Sequence, residues 1–137
     1  MSDASLPHED DKSILNDGEL WRRIPPWHVV EDKNRGGKRI SKAAFEDHPD
    51  GTPMSVVLGQ EVLAAGRDAL SVIAGHDNFC LAHVTAGLAR SLNQGIVRKP
   101  LDDEPAHAEV FGKKTDGVRK RFARAAVWII GPDTDTA

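Results

Sequence analysis

Hydrophobic residues occur along the chain in short runs that alternate with polar, turn-forming segments. Six of these runs predict β-strands, because they are short, apolar or alternating, and bounded by turn residues: 20–24, 54–58, 79–85, 95–98, 106–111 and 128–130. Apolar residues three and four positions apart predict helices at 60–74, at 86–93 and from Thr115 onward. The segments 27–30 and 38–41 flank a Gly-Gly pair, which predicts a loose hairpin or an irregular loop.

Strands and helices interleave along the middle of the chain, and this order indicates the fold class. We expect a single α+β domain with a small mixed sheet and two or three helices packed on it. The segment 1–18 is polar and acidic without an apolar period, so we expect a disordered acidic tail there. The segment 132–137 has the same character. The folded domain is therefore predicted to span residues 19–131.

Composition excludes several classes of protein. The single cysteine, Cys80, excludes an internal disulfide framework and a Cys-rich zinc module. The start of the chain is acidic where a secretory signal is basic and then apolar, and no apolar run approaches the roughly 20 residues of a membrane span. We therefore expect a cytoplasmic protein without a membrane contact. Because no Walker loop or Gly-x-Gly-x-x-Gly turn is present, no cofactor is predicted.

The formal net charge of −3 conceals a separation of charge along the chain. The first twenty residues contain Lys12 and the acids Asp3, Glu9, Asp10, Asp11, Asp17 and Glu19. The segment 113–124 contains Asp116 and the cations Lys113, Lys114, Arg119, Lys120, Arg121 and Arg124. Lys120, Arg121 and Arg124 would contact a nucleic acid, an acidic protein or the acidic tail, or simply form a solvated helix face. Lys38, Arg39 and Lys42 would extend this basic surface if they lie nearby.

The segment 105–112 carries the strongest candidate chemistry. On a strand, His107 and Glu109 share one face about 7 Å apart, which suits acid–base chemistry or metal ligation. If the strand of His83 paired with this one, the two imidazoles and the carboxylate would form a three-ligand site. The alternatives are a solvated strand face for His107 and Glu109, and a core position for His83. Because no closely spaced histidine pair supports a metal, none is assigned.

Arg23, Ser55 and Glu109 lie on three different predicted strands, and their order along the chain resembles that of the ADP-ribosyltransferases. That family uses an arginine on an early strand, a serine-bearing strand and a late-strand glutamate. The resemblance implies a transferase in which Arg23 binds an anionic group. The paired hydroxyl residues and the Glu-x-Glu motif of the family are absent from this chain.

The first functional hypothesis is a small binding or accessory protein that regulates or assists a protein partner, with Trp27 as an exposed interface anchor. It is favoured because no nucleophile–base pair, phosphate-binding loop or metal spacing is recognisable. The alternative is an enzyme that uses His107, Glu109 and Arg23, either a metal-assisted hydrolase or an ADP-ribosyltransferase-like transferase. The third hypothesis is a nucleic-acid-binding module that uses the basic segment 113–124. Whether the protein is an enzyme, and its oligomeric state, stay open.

Overall fold

The computed structural model describes residues 9–132, which form a six-stranded sheet, a separate hairpin and four α-helices. The strands are β1 Glu19–Ile24, β2 Val29–Glu31, β3 Lys38–Ile40, β4 Met54–Leu58, β5 Cys80–Thr85, β6 Gly95–Arg98, β7 His107–Phe111 and β8 Val127–Ile130. The α-helices are α1 Gly59–Ala64, α2 Ala69–Val72, α3 Ala86–Ser91 and α4 Asp116–Ala125. Short 3-10 helices form at Pro26–His28 and Lys42–Phe45.

The strand order in the large sheet is β6-β7-β4-β1-β5-β8, and β2 pairs with β3 in the hairpin. The α+β class is confirmed. The sheet is not mixed as the sequence predicted, because every strand pair in the described part of the chain is antiparallel. Within residues 9–132, no helix is long and apolar enough to cross a bilayer.

Both faces of the sheet carry apolar residues, but the two faces are covered by different elements. Alternation along the strands turns Leu20, Val56 and Ala82 toward a main core that also contains residues of α3, α4 and the 3-10 helix Lys42–Phe45. In this core, Phe45 stacks on Phe122 with ring centroids 5.6 Å apart, and both rings are fully buried. Residues of β1, β4 and β5 on the other face pack against α1 and α2 in a smaller cluster.

The helix predicted for residues 60–74 is two helices, α1 and α2, with a turn between them. Gly66 lies in this turn with φ +78°, a left-handed conformation that glycine adopts at little cost. Asp68 then caps α2, because its carboxylate accepts a hydrogen bond from the Ser71 N–H at 3.1 Å. The apolar spacing correctly predicted helical structure, but the helix ends before the glycine and a second one begins after it.

Residues 9–18 pack against the sheet, which corrects the expected tail over this part of the chain. Asp10 accepts hydrogen bonds from the Ile96 N–H at 2.9 Å and from Arg90 Nε at 3.1 Å, and Ile14 is buried. Arg98 contacts both Asp11 and Glu61. We call these side chains the N-terminal charge cluster: Asp10, Asp11, Glu61, Arg90 and Arg98. The remaining parts of the two predicted tails, residues 1–8 and 133–137, lie outside the described residues.

Candidate functional site

A groove of about 860 Å³ lies between the β2–β3 hairpin and α4, and cations dominate its lining. We call it the basic groove. Its charged lining residues are Asp32 and the cations Arg35, Lys38, Arg39, Lys42, Lys120 and Arg124. The carboxylate of Asp32 accepts hydrogen bonds from the backbone N–H groups of Asn34 and Arg35, both at 3.0 Å, and so stabilises the hairpin turn.

The cations of the basic groove fall into two groups. The lysines are paired: Lys38 contacts Glu31 at 3.2 Å, and Lys42 and Lys120 both contact Asp116. Arg35, Arg39 and Arg124 are the second group. None of these three arginines has a carboxylate partner within residues 9–132, so the groove has guanidinium groups whose charge the described chain does not neutralise.

The pKa of Asp116 shows how strongly the paired lysines stabilise an ionised carboxylate at this surface. It lies in the first turn of α4, beside the Thr115 side chain that caps the helix by accepting a hydrogen bond from the Val118 N–H. Hydrogen bonds from Lys42 and then from Lys120 lower the pKa of Asp116 to about 2. This carboxylate therefore stays ionised over the whole physiological range and holds both lysines at the groove.

The structure places most of the predicted anion-binding residues together. Lys120 and Arg124 line the groove, as do the cations of segment 38–42 that the sequence could only place conditionally, whereas Arg121 is exposed and not among the lining residues. Arg35 and Trp128 also line the groove, although the sequence did not indicate them as binding residues. Trp128 is half-buried and also packs against the main core.

A second constellation centres on the hydroxyl of Ser55. We call Ser55, His48 and His107 the serine–histidine site. The Ser55 Oγ lies 3.1 Å from His107 Nε2 and 3.1 Å from His48 Nε2, and His107 Nδ1 lies 2.7 Å from the carbonyl oxygen of Lys99. The sequence predicted a role for His107 but not its contact with Ser55, because the two residues lie far apart along the chain.

The strand register explains why these groups meet. β4 and β7 pair so that Val57 is opposite His107 and Ser55 is opposite Glu109. All four side chains therefore share one face of the sheet, with His107 diagonal to Ser55. Glu109 is 9% exposed, and within residues 9–132 its carboxylate has no hydrogen-bond or ion-pair partner. The predicted common face of His107 and Glu109 is thus present.

Arg22, the neighbour of the predicted anion-binding residue Arg23, fixes the backbone at the serine. Its guanidinium donates to the carbonyl oxygens of Ser55 at 2.7 Å and Ala44 at 2.9 Å. Burial, and then the positive charge of Arg23, lower the pKa of Arg22 to about 10. The register places this contact next to Trp21–Val57, where the pairing of β1 with β4 ends.

Arg23 and His83 do not join the serine–histidine site. Arg23 Nε donates to the Val72 carbonyl oxygen at 2.6 Å, and its Nη2 lies 3.9 Å from Glu104. His83 lies on β5, and β1 and β4 separate that strand from β7, a distance of about 14 Å at roughly 4.8 Å per strand. The three-ligand arrangement is therefore not formed. Among the described residues, no group of three His, Cys, Asp or Glu side chains could hold a metal ion.

Trp27, the predicted interface anchor, lies on the surface. Its side chain is 70% exposed, and its ring meets that of Phe79 edge-on at a centroid distance of 5.9 Å. The ring is thus held in place from one side and open on the other.

The chain has no match among protein-family models, curated proteins or solved structures. Its function is therefore inferred from the charges and hydrogen bonds of its own residues.

Proposed function

We propose that the protein binds single-stranded nucleic acid in the basic groove. The observation that carries this proposal is the presence, in one groove, of three arginines without a carboxylate partner in the described chain, together with an indole ring. The groove is concave and lies between a hairpin and a helix, a shape that suits an extended strand better than a wide duplex.

The arginines supply the contacts to phosphate. A guanidinium donates two parallel hydrogen bonds to phosphate oxygens, and Arg35, Arg39 and Arg124 need not break an ion pair with a described carboxylate to do so. Each phosphate contact also releases condensed counterions, which favours binding at low salt. The paired lysines of the groove contribute less, because Glu31 and Asp116 compete for them.

The Trp128 ring favours nucleic acid over an acidic protein segment. Bases stack on aromatic rings in proteins that bind single strands, at roughly 1–3 kcal/mol per base, and the half-buried Trp128 ring lines the groove. An acidic peptide would use the same positive charge but would gain little from an indole. The combination of unpaired arginines and an aromatic ring is therefore better matched to a strand that carries both phosphates and bases.

The test is fluorescence anisotropy of a labelled oligothymidylate, about 12 nucleotides long, titrated with the full chain at several salt concentrations. Replacing Arg35, Arg39 and Arg124 together by alanine should weaken binding strongly. It should also reduce the slope of log K against log salt by about 2, since each contact contributes roughly 0.7 for a single strand. Arg121→Ala is the matched control, because this exposed arginine is not among the lining residues.

Equal affinity of the triple variant and the native chain would contradict the proposal, as would an equal loss in Arg121→Ala. Trp128→Leu separates the two kinds of anionic partner. It should weaken binding of the oligonucleotide while leaving any binding of a poly-glutamate peptide unchanged. Tighter binding of the peptide than of the oligonucleotide would assign the groove to an acidic protein.

The exposed ring of Trp27 favours a second candidate function, contact with a protein partner. Large aromatic residues that are held in place at the surface are common anchors of protein interfaces. A partner that copurifies in equimolar amount with the native chain should be lost in Trp27→Ala and kept in Leu70→Ala, a control whose side chain is 63% exposed. Loss in both variants or in neither would contradict this role.

A further inference from the structure

The serine–histidine site contains an alcohol, a base within hydrogen-bond distance and a group that orients the base. These are the parts of an activated nucleophile. We propose that Ser55 is a nucleophile that attacks acyl esters, with His107 as its general base. This activity is separate from nucleic-acid binding, because it uses the face of the sheet opposite to the core that packs against α4.

Hydrogen-bond polarity specifies the proton arrangement in the site. The Lys99 carbonyl oxygen only accepts, so His107 Nδ1 must donate to it. In the neutral imidazole, Nε2 is then the acceptor, and it accepts from the hydroxyl of Ser55. The hydroxyl has a single proton, so His48 Nε2 donates to Ser55 Oγ. This is the arrangement in which His107 can remove the serine proton.

The reaction follows from this arrangement and needs only water as co-reactant. The Oγ electron pair forms a bond to the acyl carbon while the hydroxyl proton moves to His107 Nε2. Collapse of the tetrahedral intermediate breaks the bond to the leaving alkoxide, which takes that proton and departs as an alcohol. Water then attacks the acyl-serine, giving its proton to His107. The second collapse releases the carboxylic acid and returns the proton to Ser55.

The surroundings indicate which esters fit. Ser55 is half-buried and its partner His48 is exposed, so the site lies at the protein surface. Glu109, opposite Ser55 on the same face, is a carboxylate without a partner in the described chain. It disfavours an anionic substrate and attracts a cationic group next to the scissile bond. The substrate class is therefore a neutral or cationic ester, with Glu109 as the residue that selects charge.

The first experiment needs no knowledge of the natural substrate. The full chain is treated with a fluorophosphonate, in which a serine nucleophile displaces fluoride, and the labelled residue is identified by peptide mass spectrometry. We expect Ser55 to be labelled and His107→Gln to slow labelling by about 100-fold, the usual contribution of a general base. Ser91→Ala is the control, since the Ser91 hydroxyl donates only to the Leu88 carbonyl oxygen.

A second variant keeps the test independent of folding defects in His107→Gln. In Ser55→Cys, the neighbouring imidazoles should stabilise the thiolate, so alkylation by iodoacetamide should stay fast at a pH where an ordinary thiol is protonated. Adding His107→Gln should remove that advantage. The proposal is overturned if fluorophosphonate labels Ser55 no faster than other exposed serines, or if the thiol in Ser55→Cys reacts with an ordinary pH profile.

Charge selection is tested with three 4-nitrophenyl esters: one neutral, one with a quaternary ammonium group and one with a carboxylate. The cationic ester should be cleaved about tenfold faster than the anionic ester, measured as kcat/KM, and Glu109→Gln should bring the two rates close together. A ratio that does not change in Glu109→Gln would remove Glu109 from the proposed site.

Discussion

The N-terminal charge cluster and the basic groove both contain surface arginines, yet the two regions use them differently. In the cluster, Arg90 and Arg98 each contact carboxylates, and Arg90 also donates to Asn16 and to the Asp11 carbonyl oxygen. In the groove, Arg35, Arg39 and Arg124 have no carboxylate partner among the described residues. The arginines of the N-terminal charge cluster link distant parts of the chain, whereas those of the basic groove are available to a ligand.

This difference revises the role of the acidic start of the chain. The sequence left open that these acids shield the basic helix. Instead, Asp10 and Asp11 bind cations of α3 and β6, so these two carboxylates are engaged away from α4. Pairing, rather than the count of charges, distinguishes a structural arginine from one that can bind a partner.

The largest effect on stability within this comparison is expected for Asp10→Ala. The substitution leaves the N–H of the fully buried Ile96 without its carboxylate acceptor and removes a partner of Arg90. We expect the free energy of unfolding, measured in urea, to fall by about 2–3 kcal/mol. Asp17→Ala is the control, because Asp17 is exposed. A similar loss in the control would show that Asp10 is not the anchor.

The second expected effect is the contribution of Asp10 to the pH dependence of stability. Burial raises the pKa of Asp10, but hydrogen bonds from the Ile96 N–H, Lys12 and Arg90 outweigh it, so the pKa lies below its ordinary value of 3.8. A carboxylate whose pKa is lower in the folded than in the unfolded state stabilises the fold when it is ionised. This stabilisation is fully present above pH 3.8 and is lost as the pH falls through the pKa of the folded state.

The stability difference between the native chain and Asp10→Asn should therefore be constant at neutral pH and shrink below about pH 4. Urea unfolding between pH 2.5 and 7 measures this difference in the free energy of unfolding. At neutral pH, Asp10→Asn should destabilise the protein less than Asp10→Ala does. A difference that is independent of pH would mean that Asp10 acts through its hydrogen bonds and not through its charge.

Asp116→Asn tests the difference between paired and unpaired cations directly, because it removes the carboxylate partner of two lysines in the basic groove. Without this carboxylate, Lys42 and Lys120 lose their competing partner and become free to contact phosphate. At low salt we expect about threefold tighter binding of the oligothymidylate, as measured by anisotropy, and no gain at high salt. Weaker binding would show that Asp116 positions the lysines for the ligand.

The smallest effect is expected for Arg124→Ala on stability. This exposed arginine has no described carboxylate partner, so its loss should change the free energy of unfolding by less than about 0.5 kcal/mol. Measuring the urea unfolding of Arg124→Ala together with that of Asp10→Ala compares the two kinds of arginine site under the same conditions. A loss above 1 kcal/mol would place Arg124 with the structural arginines and break the distinction between the two regions.

The local sequence pattern was sufficient to predict helices and strands that bury one face, because that face sets the spacing of their apolar residues. The alternation around His107 predicted that His107 and Glu109 share one face, and the intervening side chains Ala108 and Val110 are fully buried in the main core on the other face. The pattern failed where one residue interrupts a helix, as Gly66 does between α1 and α2. The N-terminal segment was missed for another reason: its polar residues are satisfied by groups more than seventy positions away.

By itself, the sequence determined the α+β class, the shared face of His107 and Glu109, and the basic character of α4, because each depends on neighbours within a few residues. Only the tertiary structure decided which side chains meet. The β4–β7 register brings Ser55 to His107 and leaves His83 three strands away, and the hairpin adds Arg35 and Arg39 to the surface of α4. Such contacts depend on strand pairing over long separations, which the order of residues along one strand or helix does not encode.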